Sequence, residues 1–127
     1  MEKLDIDKPV FGAEIDVSLL RKYFNDKIVF KSISKFPIVE RDIAIIVDDN
    51  VSCASITDVI SNNAGEYLEK VKLFDIYQGA QIGEGKKSMA FNLVFVAEDR
   101  TLNVEEIDQA IKNVLTALNE KLGAELR

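Results

Sequence analysis

Histidine and tryptophan are absent from this 127-residue sequence, cysteine occurs once and proline twice. Each scarcity removes a class of protein. Without histidine the chain holds no Cys–His or Ser–His nucleophile pair, and a lone Cys53 allows no internal disulfide. A structural zinc site needs several Cys or His donors and goes with them. Long apolar runs are missing too. The longest obvious one, residues 43–47, has strand length and falls well short of the ~18 residues of a membrane span. Met1-Glu2-Lys3-Leu4-Asp5 is charged and lacks the apolar segment of a secretory signal, so a cytoplasmic location is the expectation. Positive charge is in deficit: 16 Lys and Arg stand against 22 Asp and Glu, a net charge of −6. That argues against nonspecific polyanion binding, which depends on many basic contacts to phosphate. A local basic rim stays open, since Lys86 and Lys87 adjoin a loop while Lys31, Lys35 and Arg41 precede or open a strand.

What is present suffices for one core, with 47% hydrophobic residues in a single-domain length. Residues 1–29 look unlike the remainder. Residues 9–16 read as a short strand and 17–24 as a short helix with Leu19, Leu20 and Phe24 apolar. With so little core of their own, they look like the end of another domain or a lead-in. Residues 31–37 are a polar connector in which Pro37 biases Phe36 toward extended geometry. Residues 41–48 form the first strong strand, with Ile43, Ile45 and Val47 on one face and Asp42, Ala44 and Ile46 on the other. An ion pair between Arg41 and Asp42 is an expectation here. Asp48-Asp49-Asn50 is turn chemistry, and Ser52 suits the N-cap of a helix that gathers Ile56, Val59 and Ile60. Cys53, in its first turn, reads as a small half-buried residue. Gly65 suits a left-handed stop.

Residues 71–96 organise the rest. A run ending Phe74-Asp75-Ile76-Tyr77 is rich in aromatic and β-branched residues, and three glycines follow within residues 78–85. A second run then alternates Met89, Phe91, Leu93 and Phe95 with Ser88, Ala90, Asn92 and Val94, the period of a half-buried strand. Strict alternation sends Met89, Phe91, Leu93 and Phe95 to a core and Ser88, Ala90 and Asn92 away from it. On the first strand it puts Phe74 and Ile76 on one face, and Leu73, Asp75 and Tyr77 on the other. If Phe74 and Ile76 join the core, Asp75, Tyr77 and Ser88 meet on the open face. A ring, a carboxylate and a hydroxyl beside small Ala90 make a platform for a planar ligand. The plainer alternative is that Tyr77 covers apolar sheet surface and Asp75 marks a strand end.

Residues 98–102 form a loop, and Asn103 with Glu106 approximates a capping box. Ile107, Ala110, Ile111, Val114, Leu115, Leu118 and Leu122 trace one apolar stripe; Gly123 stops it, and residues 124–127 could add a short strand. The order from Arg41 is β-α-β-β-α-β, an α+β ferredoxin-like pattern: an antiparallel sheet with two helices on one face. Such a sheet serves many functions. A metal-carrying version needs paired cysteines. An RNA-recognition motif wants aromatics where Ser88, Ala90 and Asn92 stand. An amino-acid-sensing domain usually has a Gly-rich first loop. The spacing of Gly79, Gly83 and Gly85 fits neither GxGxxG nor GxxxxGK[ST].

Five short motifs occur in register: Ser34-Lys35-Phe36-Pro37, Arg41-Asp42-Ile43-Ala44, Leu73-Phe74-Asp75-Ile76-Tyr77-Gln78-Gly79, Gly85-Lys86-Lys87-Ser88-Met89-Ala90-Phe91 and Arg100-Thr101-Leu102. Together they resemble the ferredoxin-fold anticodon-binding domain that closes the beta subunit of bacterial phenylalanyl-tRNA synthetase. The terminal Leu126-Arg127 is similar to that family's ending. The resemblance implies a division into residues 1–33, the end of a preceding synthetase-like domain with a linker, and residues 34–127, the anticodon-binding domain. It implies a noncatalytic, tRNA-binding module of an ATP- and magnesium-dependent phenylalanine-tRNA ligase. Catalysis would reside in the alpha subunit of a heterotetramer of two alpha and two beta chains, with no cofactor in this fragment. It also implies that Asp75, Tyr77 and Ser88 lie at the first anticodon base, a guanine; Lys86 and Lys87, beside the loop, are read from their position as either RNA-backbone contacts or solvated surface. An assembly module of the synthetase and a small-molecule regulatory domain are the alternative readings.

Overall fold

Ten residues without a break in alternation, Lys86–Phe95, form the strand on which the sheet is built, β3. The computed structural model describes residues 9–25, 27–28 and 35–127, and the chain divides into two compact units, Met1–Ser32 and Ile33–Arg127. Lys31, Ser34 and the first five residues lie outside the described residues. In the second unit β3 pairs antiparallel with β1 (Val39–Asp48) in one uninterrupted register, from Val39 opposite Phe95 to Asp48 opposite Lys86. On its other side it pairs antiparallel with β2 (Leu68–Tyr77), while β4 (Glu125–Leu126) adds to the far edge of β1. The strand order β2-β3-β1-β4, with α2 (Cys53–Asn63) and α3 (Val104–Leu122) as the crossovers, is the expected ferredoxin-like α+β fold.

The core lies between one sheet face and the two helices. Ile45, Val47, Met89, Phe91, Leu93 and Phe95 from the sheet meet Ile56 and Ile60 of α2 and Ile107, Val114 and Leu118 of α3, all at 2% exposure or less. Each such side chain contributes about 1.5–3 kcal/mol by leaving water. The helices start and stop as their residues dictate. Ser52 Oγ accepts from Ser55 N at 3.0 Å, and Gly65 follows the end of α2 with φ +86°. Glu106 reaches back to Asn103 N at 2.9 Å, and Gly123 closes α3 in the left-handed region (φ 63°, ψ 23°). That reversal delivers the chain into β4, where Arg127 N donates to Ala44 O at 2.9 Å.

The edge strand β2 departs from the expected alternation. Its register against β3 skips Phe74: Leu73 is opposite Phe91, whereas Asp75 is opposite Ala90. Phe74 is the extra residue of a β-bulge, as is Glu69 near the start of the strand. Leu73 therefore packs against the core instead of sharing a face with Asp75 and Tyr77. Phe74 and Ile76 do not enter the core either, at 52% and 55% exposure. An edge strand has a partner on one side only, so it can absorb an extra residue that a central strand cannot.

In the first unit, α1 (Val17–Arg21) is capped by Asp16, whose Oδ1 accepts from Ser18 N at 2.8 Å and Leu19 N at 3.2 Å. It is shorter than the helix expected over residues 17–24. Residues 9–16 form no strand: backbone in extended form needs a pairing partner, and the described residues of this unit contain no strand to supply one.

Candidate nucleic-acid interface

Beyond the bulge, Asp75, Ile76 and Tyr77 sit opposite Ala90, Met89 and Ser88. Met89 points into the core, so Asp75 and Tyr77 share the helix-free face with Ala90 and Ser88. The expected juxtaposition is present, although the route to it is the bulge and not strict alternation. Among the described residues nothing donates to the exposed Asp75 carboxylate, which leaves both its oxygens to accept from a ligand.

Tyr77 is held from two sides. Its hydroxyl end lies so close to Gly79 that a Cβ there would collide with the hydroxyl oxygen and come within 2.8 Å of Cζ. Gly79 is in extended backbone, so the demand for glycine is steric. Over the ring sits Arg127, its Cζ 5.2 Å from the centroid. The same guanidinium reaches Ser88 Oγ, with Nη1 donating at 3.5 Å. Ser88 is on the predicted face but is only 2% exposed. Its hydroxyl is thus covered from the open side by Arg127. Small Ala44 and Ala90 are register partners on this face, which leaves low ground between β4 and β2.

The two lysines part company. Lys86 shares the face of Ser88 and pairs with Glu125 at 3.6 Å. Lys87 points to the other face and donates to Asp49 O at 2.8 Å. Gln78 Nε2 donates to Asp49 Oδ1 at 3.0 Å, and Asp49 N donates to Gly85 O at 2.9 Å. The turn after β1 thereby clips the glycine loop at both ends. Farther along the open face, Asn92 donates to Glu40 Oε2 at 3.1 Å and Asp42 Oδ1 at 2.8 Å. Arg41 and Asp42 form no ion pair, since neighbours on a strand point to opposite faces; Arg41 Nη1 instead donates to Glu40 O at 3.2 Å. Charge on this face is mixed at both ends: Lys86, Arg127, Asp75 and Glu125 surround Tyr77 and Ser88, while Lys72 is opposite Asn92 and its two carboxylates.

Two contributors escaped the sequence reading. Gly79 carried a signal, a glycine two residues beyond a tyrosine on a strand. Arg127 carried none locally, since its contact depends on β4 pairing at the far edge of β1. Among the described residues, no group of three or more His, Cys, Asp or Glu could hold a metal ion, and no helix is long and apolar enough to cross a membrane.

The helix-backed antiparallel sheet thus sets a ring and an exposed carboxylate on its open face, beside a serine hydroxyl that lies under an arginine. The comparisons give the class: residues 34–127 match the ferredoxin-fold anticodon binding domain, and the chain belongs to that family. The relatives are more particular. All of this chain aligns at 42% identity with 16% of the phenylalanine–tRNA ligase beta subunit of Clostridium tetani. The beta subunit of Pseudomonas fluorescens is 40% identical over 99% of this chain and 16% of its own length. That of Streptococcus mutans is 42% identical over 92% and 15%. The chain thus spans about one sixth of the length of these curated relatives.

Proposed function

We propose that the chain is the noncatalytic anticodon-reading module of a phenylalanine–tRNA ligase beta subunit, and that it reads the first anticodon base on the open sheet face. The observation carrying this reading is the register that sets Tyr77 against Ser88 and Asp75 against Ala90 on the face the helices leave bare. A single-stranded base stacks on a tyrosine ring for about 1–3 kcal/mol. The Asp75 carboxylate accepts from guanine N1–H and N2–H₂, a donor pair that adenine lacks. Asp75 then discriminates, Tyr77 supplies affinity, and Ser88 adds a hydroxyl beneath the base. Lys86 lies beside the loop, where the RNA backbone would pass; Lys87, on the other face, reaches phosphate only around the strand end. Phosphate contacts made by the rest of the enzyme would offset the −6 charge of this chain. Aminoacylation, with ATP and magnesium, belongs in this reading to the alpha subunit of a heterotetramer.

The test is an NMR titration with the anticodon stem-loop of phenylalanine tRNA and a second loop carrying adenine in place of the first-base guanine. Shifts should cluster at Asp75, Tyr77 and Ser88 and weaken with adenine, and Asp75→Asn should erase the difference. Shifts at lysines alone, indifferent to the base, would sink base reading.

Exposed Phe74 and Ile76 on the edge strand favour a second reading, in which this edge packs on the remainder of a beta subunit. Under it, Phe74→Ser would impair assembly of the full enzyme and leave stem-loop binding unchanged.

A further inference from the structure

The Ser88 hydroxyl is on the reading face, yet Arg127 covers it and lies over the Tyr77 ring as well. A base cannot take both contacts while Arg127 stays where it is. The arginine is held lightly. Its hydrogen bond to Ser88 is at the long limit for such bonds, 3.5 Å, and among the described residues no carboxylate pairs with it. Arg127 as a whole is exposed.

We propose that Arg127 is a fourth base-contacting residue, the outer jaw of a slot whose inner wall is Tyr77, so that an entering base is sandwiched between the guanidinium and the ring. The idea rests on the base-reading function proposed above. The geometry is close to what is needed. Two flat contacts of about 3.5 Å each require about 7 Å between the flanking groups. Starting from 5.2 Å, the guanidinium must lift by only about 2 Å. A flexible arginine stem accommodates that without moving β4. Guanidinium planes and aromatic rings are the two surfaces on which unpaired bases stack, and here the guanidinium carbon of one already lies over the ring of the other. In the free chain Arg127 occupies the slot over the Tyr77 ring, whose hydroxyl end lies against Gly79. Binding therefore exchanges one cation–ring contact for two faces of a base.

The test is fluorescence anisotropy of the guanine and adenine stem-loops with the 127-residue chain, its Arg127→Ala variant and its Arg127→Lys variant. Circular dichroism and thermal melting serve as fold controls. Arg127→Ala should weaken the guanine loop by about tenfold. Arg127→Lys should recover little of that loss, because an ammonium has no flat face. Intermolecular nuclear Overhauser contacts from the first base to both the Tyr77 ring and the Arg127 methylenes should appear in the complex. Unchanged or tighter binding by Arg127→Ala would make the arginine a mere cover and overturn the proposal. Full recovery by lysine would overturn it equally, leaving a point charge near phosphate. If the unsubstituted chain does not distinguish the two loops, base reading itself fails and the slot with it. That failure is recognisable because it precedes any substitution.

Discussion

A tyrosine beneath an arginine stands at each end of β2, Tyr67 just before its first residue and Tyr77 as its last, and the two pairs are held in opposite ways. Arg100 lies over Tyr67 with its Cζ 5.3 Å from the ring centroid, and Arg127 lies over Tyr77 at 5.2 Å. Arg100 is also gripped by Glu106, with Nη1 donating to Oε2 at 2.7 Å and Nη2 to Oε1 at 2.6 Å, and it donates to the Tyr67 hydroxyl at 3.1 Å. Glu106 in turn caps α3 through Asn103 N. Arg127 has one long hydrogen bond to a serine. A bidentate carboxylate fixes a guanidinium in one geometry, and without it the same cation–ring contact can open. The first pair fastens β2 to the helix layer. The second stays available to a ligand.

Three experiments would break or sharpen this contrast. The largest effect strikes the core under both pairs: Phe91→Ala should cost about 3–5 kcal/mol in urea unfolding. Phe74→Ala, at the bulge, should stay within about 0.5 kcal/mol. Equal losses would mean that the bulge is packed in solution. Next, the tyrosines should trade readouts. Tyr77→Ala should lose about 1–3 kcal/mol of stem-loop affinity with little change in stability. Tyr67→Ala should lose about 2 kcal/mol of stability and keep the affinity. Gly79→Ala should resemble Tyr77→Ala, because its methyl group forces the ring aside.

The smallest effect is in acid. Hydrogen bonds from Arg100, and then from Asn103 N, hold the Glu106 carboxyl at a pKa of about 2, below its ordinary 4.5. Glu106 in turn pushes the Arg100 guanidinium further up. A lowered carboxyl pKa means that the folded form prefers the charged group. The contribution is therefore complete above about pH 4.5 and disappears as the pH falls toward 2. Melting temperature against pH should show this loss in the unsubstituted chain and a smaller one in Glu106→Gln, while Arg127→Ala leaves the profile unchanged.

The contrast also sorts what could be read from the residues. On β3, with partners on both sides, alternation predicted every core position from Met89 to Phe95. The helix stripes, the Ser52 cap and the Gly123 stop were equally legible, since period and capping are local properties. On β2 the same rule put Leu73 on the wrong face and gave Phe74 a regular place in the ladder, because a bulge leaves no mark that alternation can detect; Ile76 has the expected face but stays exposed at the sheet edge. Asp75 and Tyr77 were nevertheless assigned to the correct face. The bulge inserts its residue before them, and beyond it the two still alternate with Ile76.

By itself, the sequence determined the order of elements, the core of the helix layer and central strands, and the sharing of one face by Asp75 and Tyr77. These follow from spacing over a few residues. Only the tertiary structure decided that Ser88 is covered, that Lys87 turns away to Asp49, that Glu106 clamps Arg100, and that Arg127 reaches Tyr77 from 50 residues further along the chain. Each of those contacts joins separate elements across a sheet edge, a loop or a helix end. No local period encodes them.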